Sequence, residues 1–126
     1  MRTIPHRTLL ASLFAGGLLL AGVAAFTSRP GVQGATREFT ITGDQFAFKP
    51  VRIEVQKDDL VQIKFTAKDI AHSFTVDVPY RISKRAGPGQ SVVFEFRADE
   101  AGRFPFYCNL TQDDRCKQMK GELIVR

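Results

Sequence analysis

Three sulfur-bearing side chains lie close together near the end of the chain, in the stretch FPFYCNLTQDDRCKQMKGELIV (104–125). Cys108, Cys116 and Met119 share one short loop there. Thiolate and thioether groups are soft ligands, which suit Cu(I), and thiolates also bind Zn(II). Two cysteines eight positions apart can also form a disulfide in an oxidising compartment. The spacing alone leaves two interpretations open, a soft-metal loop and a disulfide-bonded loop.

One imidazole is available to accompany these sulfurs. The chain has two histidines, and His6 lies in the N-terminal segment, so His72 in DIAHSFTV is the single histidine of the remaining domain. A lone histidine is more often structural than a ligand. The role of His72 therefore depends on which groups the fold brings beside it.

The first 26 residues differ from the rest of the chain. Arg2, His6 and Arg7 form a basic start, and an uncharged apolar stretch follows at 9–26. This is the pattern of a secretory signal peptide. The apolar stretch is 18 residues long, which also meets the lower limit of about 17–25 residues for a membrane-spanning helix. We therefore predict export, with residues 1–26 acting as a cleaved signal or as an uncleaved N-terminal anchor.

The charge of the remaining domain is close to balanced. From residue 36 onward there are 15 basic and 13 acidic residues, a net charge of about +2. Basic and acidic residues alternate throughout, and no basic stripe with interleaved aromatic residues is present. This distribution argues against nucleic acid as a partner.

From residue 37 onward, hydrophobic side chains recur at every second position, which is the period of a half-buried strand. The inward-facing residues predicted in three of these segments are Val51, Ile53 and Val55; Val61, Ile63 and Phe65; and Phe74, Val76 and Val78. Turn signals such as AGPGQ (86–90) and ADEAG (98–102) separate about seven short strands. The pattern predicts an all-β Greek-key sandwich or barrel at 37–126, preceded by a linker at 27–36. Nine of the 11 phenylalanines lie in this domain and are expected to fill its core.

Three segments resemble a cupredoxin domain in order and spacing: FAFKPVRIEVQKDDLVQIKFTAKDIAHSFTVDV, AGPGQSVVFEFRADEAGRFPFYC and MKGELIV. The resemblance covers nearly all of residues 37–126. It implies that His72 and Cys108 match the first histidine and the cysteine that ligate copper in that family. The loop CNLTQDDRCKQMKG is similar in length and framing to that of the binuclear-copper (CuA) domain. That periplasmic domain is found in cytochrome c oxidase subunit II and nitrous-oxide reductase.

The loop departs from the CuA pattern at two ligand positions. That pattern is Cys, a second Cys four residues on, His eight on and Met eleven on. Here Cys108 and Met119 hold the outer positions, whereas Gln112 replaces the second cysteine and Cys116 replaces the histidine. A binuclear centre then lacks its second bridging thiolate, and one histidine cannot supply a blue-copper His2Cys centre. The set that remains predicts a mononuclear site for one copper ion, made by His72 with Cys108, Cys116 and Met119.

The resemblance implies a copper-binding protein that acts in electron transfer or copper handling. It would work in the periplasm or at the extracellular face of the membrane, with membrane proximity through residues 1–26. Its expected partner is a redox protein such as a cytochrome or oxidase, or a copper-delivery protein. No acid–base pair or activated nucleophile is apparent, so an enzyme is not expected.

A non-metal alternative stays open beside the copper site. In it the same fold is an accessory or interaction module of the cell envelope, and Cys108–Cys116 is a structural disulfide. Arg115 and Lys117, which flank Cys116, are expected either to offset thiolate charge or to be solvated by water.

Overall fold

Nine strands and one short 3-10 helix account for the regular structure of residues 34–126. The structure of the protein, a computed structural model, describes residue 31 and residues 34–126. The predicted signal or anchor segment lies outside the described residues. The strands are β1 (Thr36–Asp44), β2 (Ala47–Lys49), β3 (Arg52–Val55), β4 (Leu60–Ala67), β5 (His72–Val76), β6 (Ile82–Ala86), β7 (Ser91–Arg97), β8 (Gly102–Tyr107) and β9 (Lys120–Val125).

The strands form two sheets that face each other. One sheet has the order β2-β1-β4-β7 and the other has the order β3-β9-β8-β5-β6. The pairs β1–β4 and β3–β9 are parallel, and the remaining pairs are antiparallel. Successive strands therefore cross repeatedly between the sheets, as in a Greek-key sandwich. The predicted all-β Greek-key fold is confirmed.

Phenylalanine rings fill the space between the sheets. Phe48, Phe65, Phe74 and Phe106 are all fully buried. Phe74 lies near the centre of this group, with its ring centroid 4.8 Å from that of Phe106 and 6.1 Å from that of Phe65. The rings meet in stacked, tilted and edge-on arrangements, which aromatic pairs prefer. This aromatic core confirms that the domain can pack without tryptophan.

The two-residue alternation holds in β4 and fails just beyond the ends of β3 and β5. Val61, Ile63 and Phe65 of β4 are fully buried, as predicted. Val51 and Val78 were predicted to face inward, and this was wrong, because their exposures are 58% and 65%. Val51 precedes β3 and Val78 follows β5, so each lies in a turn where the strand period no longer directs the side chain.

Strand β5 is buried on both faces. All five residues from His72 to Val76 are buried, whereas a strand at a sandwich surface normally alternates between core and water. The outward-facing side of β5 is covered near Ser73 by Asn109, which follows β8. His72, the candidate ligand, is the first residue of β5 and is buried with it.

Among the described residues, no helix has the length and hydropathy that a membrane span requires.

Candidate metal centre

The loop between β8 and β9 is held at both ends by backbone hydrogen bonds. Tyr107 pairs with Lys120 in the antiparallel ladder, and the N–H of Cys108 donates to the carbonyl of Met119 at 3.3 Å. Cys108 and Met119 are therefore adjacent across the neck of the loop, and both are buried. The sandwich fixes these two positions directly because they continue its last two strands.

Cys116 is brought inward by a short 3-10 helix, Asp114–Gln118, inside the same loop. The Asp113 side chain caps this helix by accepting from the N–H of Arg115 at 2.9 Å. The carbonyl of Cys116 accepts from the N–H of Met119 at 3.0 Å. Cys116 is the buried residue of the helix. No helix was predicted in this domain, because a single 3-10 turn is too short to show a period in the sequence.

Three of the four predicted ligands come together at one end of the sandwich. A ring nitrogen of His72 and the sulfurs of Cys108 and Cys116 all lie within 4.8 Å of one another. The structure joins the two cysteines in a disulfide, with Cα atoms 5.4 Å apart. The same residues thus carry the two alternatives that the sequence left open. Met119 is fully buried on the same loop, and its role as a ligand stays a prediction.

The two ring nitrogens of His72 have different surroundings. Nε2 lies 2.7 Å from Oδ1 of Asp69, whereas Nδ1 is buried and has no hydrogen-bond partner. Buried polar nitrogens are normally paired, so an orphan of this kind requires an explanation. A histidine that ligates a metal commonly donates its other ring N–H to a carboxylate. The environment of His72 fits that arrangement: Nε2 faces the carboxylate, and Nδ1 is the nitrogen left to coordinate a metal ion.

Asp69 is a residue of the candidate site that the sequence reasoning missed. Burial raises the pKa of its carboxyl, but hydrogen bonds from the Ile70 N–H, His72 and the Gln45 N–H bring the pKa below its usual value. The carboxylate can therefore hold the imidazole in one orientation as a charged acceptor. The signal available in the sequence was the spacing in DIAH, where an aspartate stands three residues before the histidine.

The sulfur of Cys108 is also tied to β5. It accepts a hydrogen bond from the backbone N–H of Ser73 at 3.4 Å. The Ser73 hydroxyl donates to Oδ1 of Asn109 at 2.7 Å and accepts from the Asn109 N–H at 2.8 Å. These contacts lock the strand that carries His72 to the loop that carries Cys108. Ser73 and Asn109 were not predicted, although each stands directly after a candidate ligand.

The charged residues beside Cys116 are engaged with neighbouring aspartates. Arg115 makes a two-point contact with Asp113, from Nε to Oδ1 at 3.0 Å and from Nη2 to Oδ2 at 2.8 Å. Their mutual contact lowers the pKa of Asp113 and raises that of Arg115. Lys117 lies 3.3 Å from the carboxylate of Asp114. The interpretation that both cations offset charge on Cys116 loses support, since each already has an anionic partner.

Residues 17–125 of the chain match the sequence model of a protein family, the cupredoxin-like domain. No curated protein matches the chain.

Solved structures of copper proteins and of an oxidase subunit share the fold. A chain from a heme-copper terminal oxidase dimer is 18% identical with a TM-score of 0.67, covering 94% of this chain and 78% of that chain. Auracyanin A, a blue copper protein from Chloroflexus aurantiacus, is 18% identical with a TM-score of 0.63, covering 73% of this chain and 100% of that chain. The periplasmic domain of subunit II of cytochrome oxidase from Bradyrhizobium japonicum is 18% identical with a TM-score of 0.59, covering 71% and 83%. These similarities concern the fold, and together with the family match they establish that the chain belongs to the cupredoxin-like domain family.

Proposed function

We propose that this protein is an exported copper-binding cupredoxin with a mononuclear site made by His72, Cys108, Cys116 and Met119. It acts in electron transfer or in copper handling, as a binding module and not as an enzyme. The relatives named above are copper proteins or parts of oxidases, which supports the general role in copper chemistry. The proposed ligand set rests on this chain's own residues.

The buried, unpartnered Nδ1 of His72 carries this proposal. It belongs to a ring whose other nitrogen contacts Asp69, and the sulfurs of Cys108 and Cys116 lie within 4.8 Å of the ring. A histidine that served packing alone would leave this nitrogen orphaned without any gain. A metal ion bound by the reduced cysteines would give it a partner.

The chemistry of the donor set favours a soft ion. One imidazole, two thiolates and a thioether match the preference of Cu(I). When bound, copper supplies one-electron exchange between Cu(I) and Cu(II). The chain holds the donors in place through the sheet: Ser73 fixes Cys108 to β5, and Asp69 fixes the ring of His72. Both thiols must be free for this set to form, so the metal-binding state is the reduced protein.

A second candidate function is favoured by the disulfide itself. Cys108 and Cys116 are bonded in the structure, and closing such a short loop stabilises a fold by about 2–3 kcal/mol in the chain-entropy model. In this function the protein is an accessory or interaction module of the cell envelope, and the disulfide is permanent. His72 then has a packing role only.

The location and partners follow from the copper proposal. The basic and apolar N-terminal residues support export to the periplasm or to the extracellular face of the membrane. A one-electron role requires a redox partner such as a cytochrome or an oxidase. A copper-handling role requires instead a protein that delivers or accepts the ion.

Thiol titration combined with metal analysis tests the two functions. Protein from an oxidising compartment is titrated before and after treatment with dithiothreitol, and then incubated with Cu(I) without oxygen. We expect no free thiols before reduction, both cysteines free after it, and uptake of about one copper per chain by the reduced protein alone. Reduced protein that takes up no copper would overturn the copper site and leave the disulfide-stapled module.

The variant Cys116→Ser separates the ligands within that experiment. It prevents the intramolecular disulfide while keeping Cys108, so Cys108 is free without reduction. Thiolate-to-copper charge transfer in the Cu(II) form should shift relative to the wild type, because one sulfur donor is lost. An unchanged spectrum would remove Cys116 from the ligand set.

A further inference from the structure

The proposed ligands are sealed from solvent. His72 and Met119 are 0% exposed, Cys108 is 1% exposed and Cys116 is 2% exposed. An ion or a small reductant can reach such a site only when some covering group moves aside. The question is which covering group can move without disturbing the packed core.

Phe46 packs against the buried imidazole of His72. It lies in the turn between β1 and β2 and is partly exposed. Its ring meets the imidazole edge-on, with centroids 6.3 Å apart and an interplanar angle of 85°. A second approach is blocked by backbone, because a Cβ added at Gly43 would lie 3.2 Å from ring atoms of His72. Phe46 is thus one of two partly exposed side chains that contact the imidazole here; the other, Asp69, is held on Nε2 and on the Gln45 N–H by hydrogen bonds, so Phe46 is the one without a polar anchor.

Arg115 lies over Phe46. Its guanidinium carbon is 4.4 Å from the centroid of the ring, within the range of a cation–π contact. The two-point contact with Asp113 holds the guanidinium in this position. Arg115 directly precedes Cys116, so Arg115 and one proposed ligand lie in the same turn of the 3-10 helix.

We propose that Phe46 and Arg115 form a gate over His72, latched by Asp113, that controls access of metal ions and small reductants to the buried site. The part of the inference that concerns metal ions rests on the proposed function. The part that concerns reductants can be tested without any metal. The side chain of Arg115 is 63% exposed, and contacts of such exposed groups are individually weak. The gate can therefore open by a local movement of two loops while the sheets stay intact.

Copper release provides the first test. Reduced protein loaded with Cu(I) is mixed with an excess of a coloured Cu(I) chelator, and the transfer is followed optically. Phe46→Ala and Arg115→Gln should release copper about three to ten times faster than the wild type, since each removes one side of the cation–π contact. The affinity at equilibrium should change less than the rate. Release rates equal to those of the wild type in both variants would overturn the gate for metal ions.

Matched controls are present at the other end of the sandwich. Arg103 is also 63% exposed and pairs with Glu122 at 3.0 Å, so Arg103→Gln removes an equivalent ion pair. Phe104 is a partly buried ring that meets Tyr80 edge-on at 5.1 Å, so Phe104→Ala removes an equivalent aromatic contact. Both controls should release copper at the wild-type rate. If they accelerate release as much as the gate variants do, general destabilisation explains the effect and the gate is wrong.

The rate of disulfide reduction provides a test that needs no metal. Dithiothreitol transfers two electrons and two protons to Cys108–Cys116, giving two thiols and its own cyclic disulfide. The gate variants should be reduced about three to ten times faster than the wild type and the controls. If this holds but no copper binds, the proposed function fails and the gate stands for reductants. If reduction is not accelerated, the gate is overturned. Arg115→Gln alters an exposed side chain only, so it keeps this test valid even if Phe46→Ala does not fold.

Discussion

The carboxylate of Asp69 lies 2.7 Å from Nε2 of His72 and leaves Nδ1 of the same ring without a hydrogen-bond partner. Asp69 also accepts from the N–H of Gln45 at 3.1 Å, which ties it to the turn between β1 and β2. The imidazole is thereby oriented by groups from two separate segments of the chain. In the proposed copper site, such a carboxylate acts through the histidine as a positioning residue.

Replacing Asp69 with asparagine should weaken copper binding by the reduced protein. The amide removes the charged acceptor at Nε2, so the ring is less firmly held and its other nitrogen is a poorer donor. Loss of such a partner typically costs about 10–100-fold in metal affinity. Competition with a Cu(I) chelator measures the affinity, and the charge-transfer spectrum of the Cu(II) form reports the altered geometry. Asp44→Asn is the control, because Asp44 also accepts from the N–H of Gln45 but does not contact His72. Equal affinities in the two variants would contradict the role given to Asp69.

Met119→Leu separates a thioether ligand from a core side chain. Leucine has nearly the same volume as methionine, so the cost in stability should stay below about 1.5 kcal/mol. If Met119 is a ligand, the affinity for Cu(I) should fall by about tenfold or more, which corresponds to about 1.4 kcal/mol. Thermal unfolding and chelator competition measure the two quantities on the same sample. An unchanged affinity would show that Met119 serves packing alone.

The fold was predictable because it depends on local patterns. The alternation of Val61, Ile63 and Phe65 sets the inward face of β4 without reference to any other strand. The candidate ligand loop was predictable for the same reason, since Cys108, Cys116 and Met119 lie within one segment of the sequence.

The surroundings of the site were not predictable, because they depend on contacts between distant segments. Phe46 meets His72 across 26 positions of the sequence, and Gly43 packs against the same ring only once β1 and β5 are in place. Arg115 reaches Phe46 across an even longer separation. Neither alternation nor turn chemistry carries information on such pairs. The pairing of Arg115 with Asp113 is local, but the sequence did not indicate which of its neighbours Arg115 would contact.

Gly121→Ala should destabilise the sandwich strongly. Gly121 of β9 stands opposite Phe106 in the ladder with β8. An added Cβ would overlap atoms of the buried Phe106 ring and lie 2.7 Å from the carbonyl oxygen of Val51. The ring cannot move freely because it packs against Phe74 and Phe48, so we expect a loss of about 1–3 kcal/mol from overpacking. Gly31→Ala is the control, since an added Cβ there meets nothing within 4 Å. Similar unfolding temperatures for the two variants would contradict this close packing.

Asp59 should make the domain sensitive to acid. One carboxylate oxygen accepts from the N–H of Ala35 at 2.9 Å, and the other accepts from the N–H of Gln56 at 2.9 Å and from Nε of Arg37 at 3.3 Å. The hydrogen bond from Gln56 lowers the pKa of Asp59, burial opposes this, and the contacts from Arg37 and Ala35 lower it further, so it ends below its ordinary value of 3.8. Because the folded state binds this proton less readily than the unfolded state, the carboxylate stabilises the fold above the ordinary pKa. That stabilisation is lost as the pH falls from about 4 through the lower pKa of the folded protein.

Asp59→Asn should therefore lower the unfolding temperature near neutral pH and flatten its decline in acid. The carboxylate accepts hydrogen bonds at both oxygens, whereas the amide has an NH2 group, itself a donor, in place of one of them. At least one N–H donor therefore loses its acceptor. Thermal unfolding of wild type and variant, measured in steps from neutral pH to below pH 4, gives the difference that belongs to this residue. Asp69 and Asp113 also have lowered pKa values, but they are common to both proteins and cancel in that difference. A constant difference between wild type and Asp59→Asn from neutral pH down through the acid range would show that Asp59 does not titrate with folding.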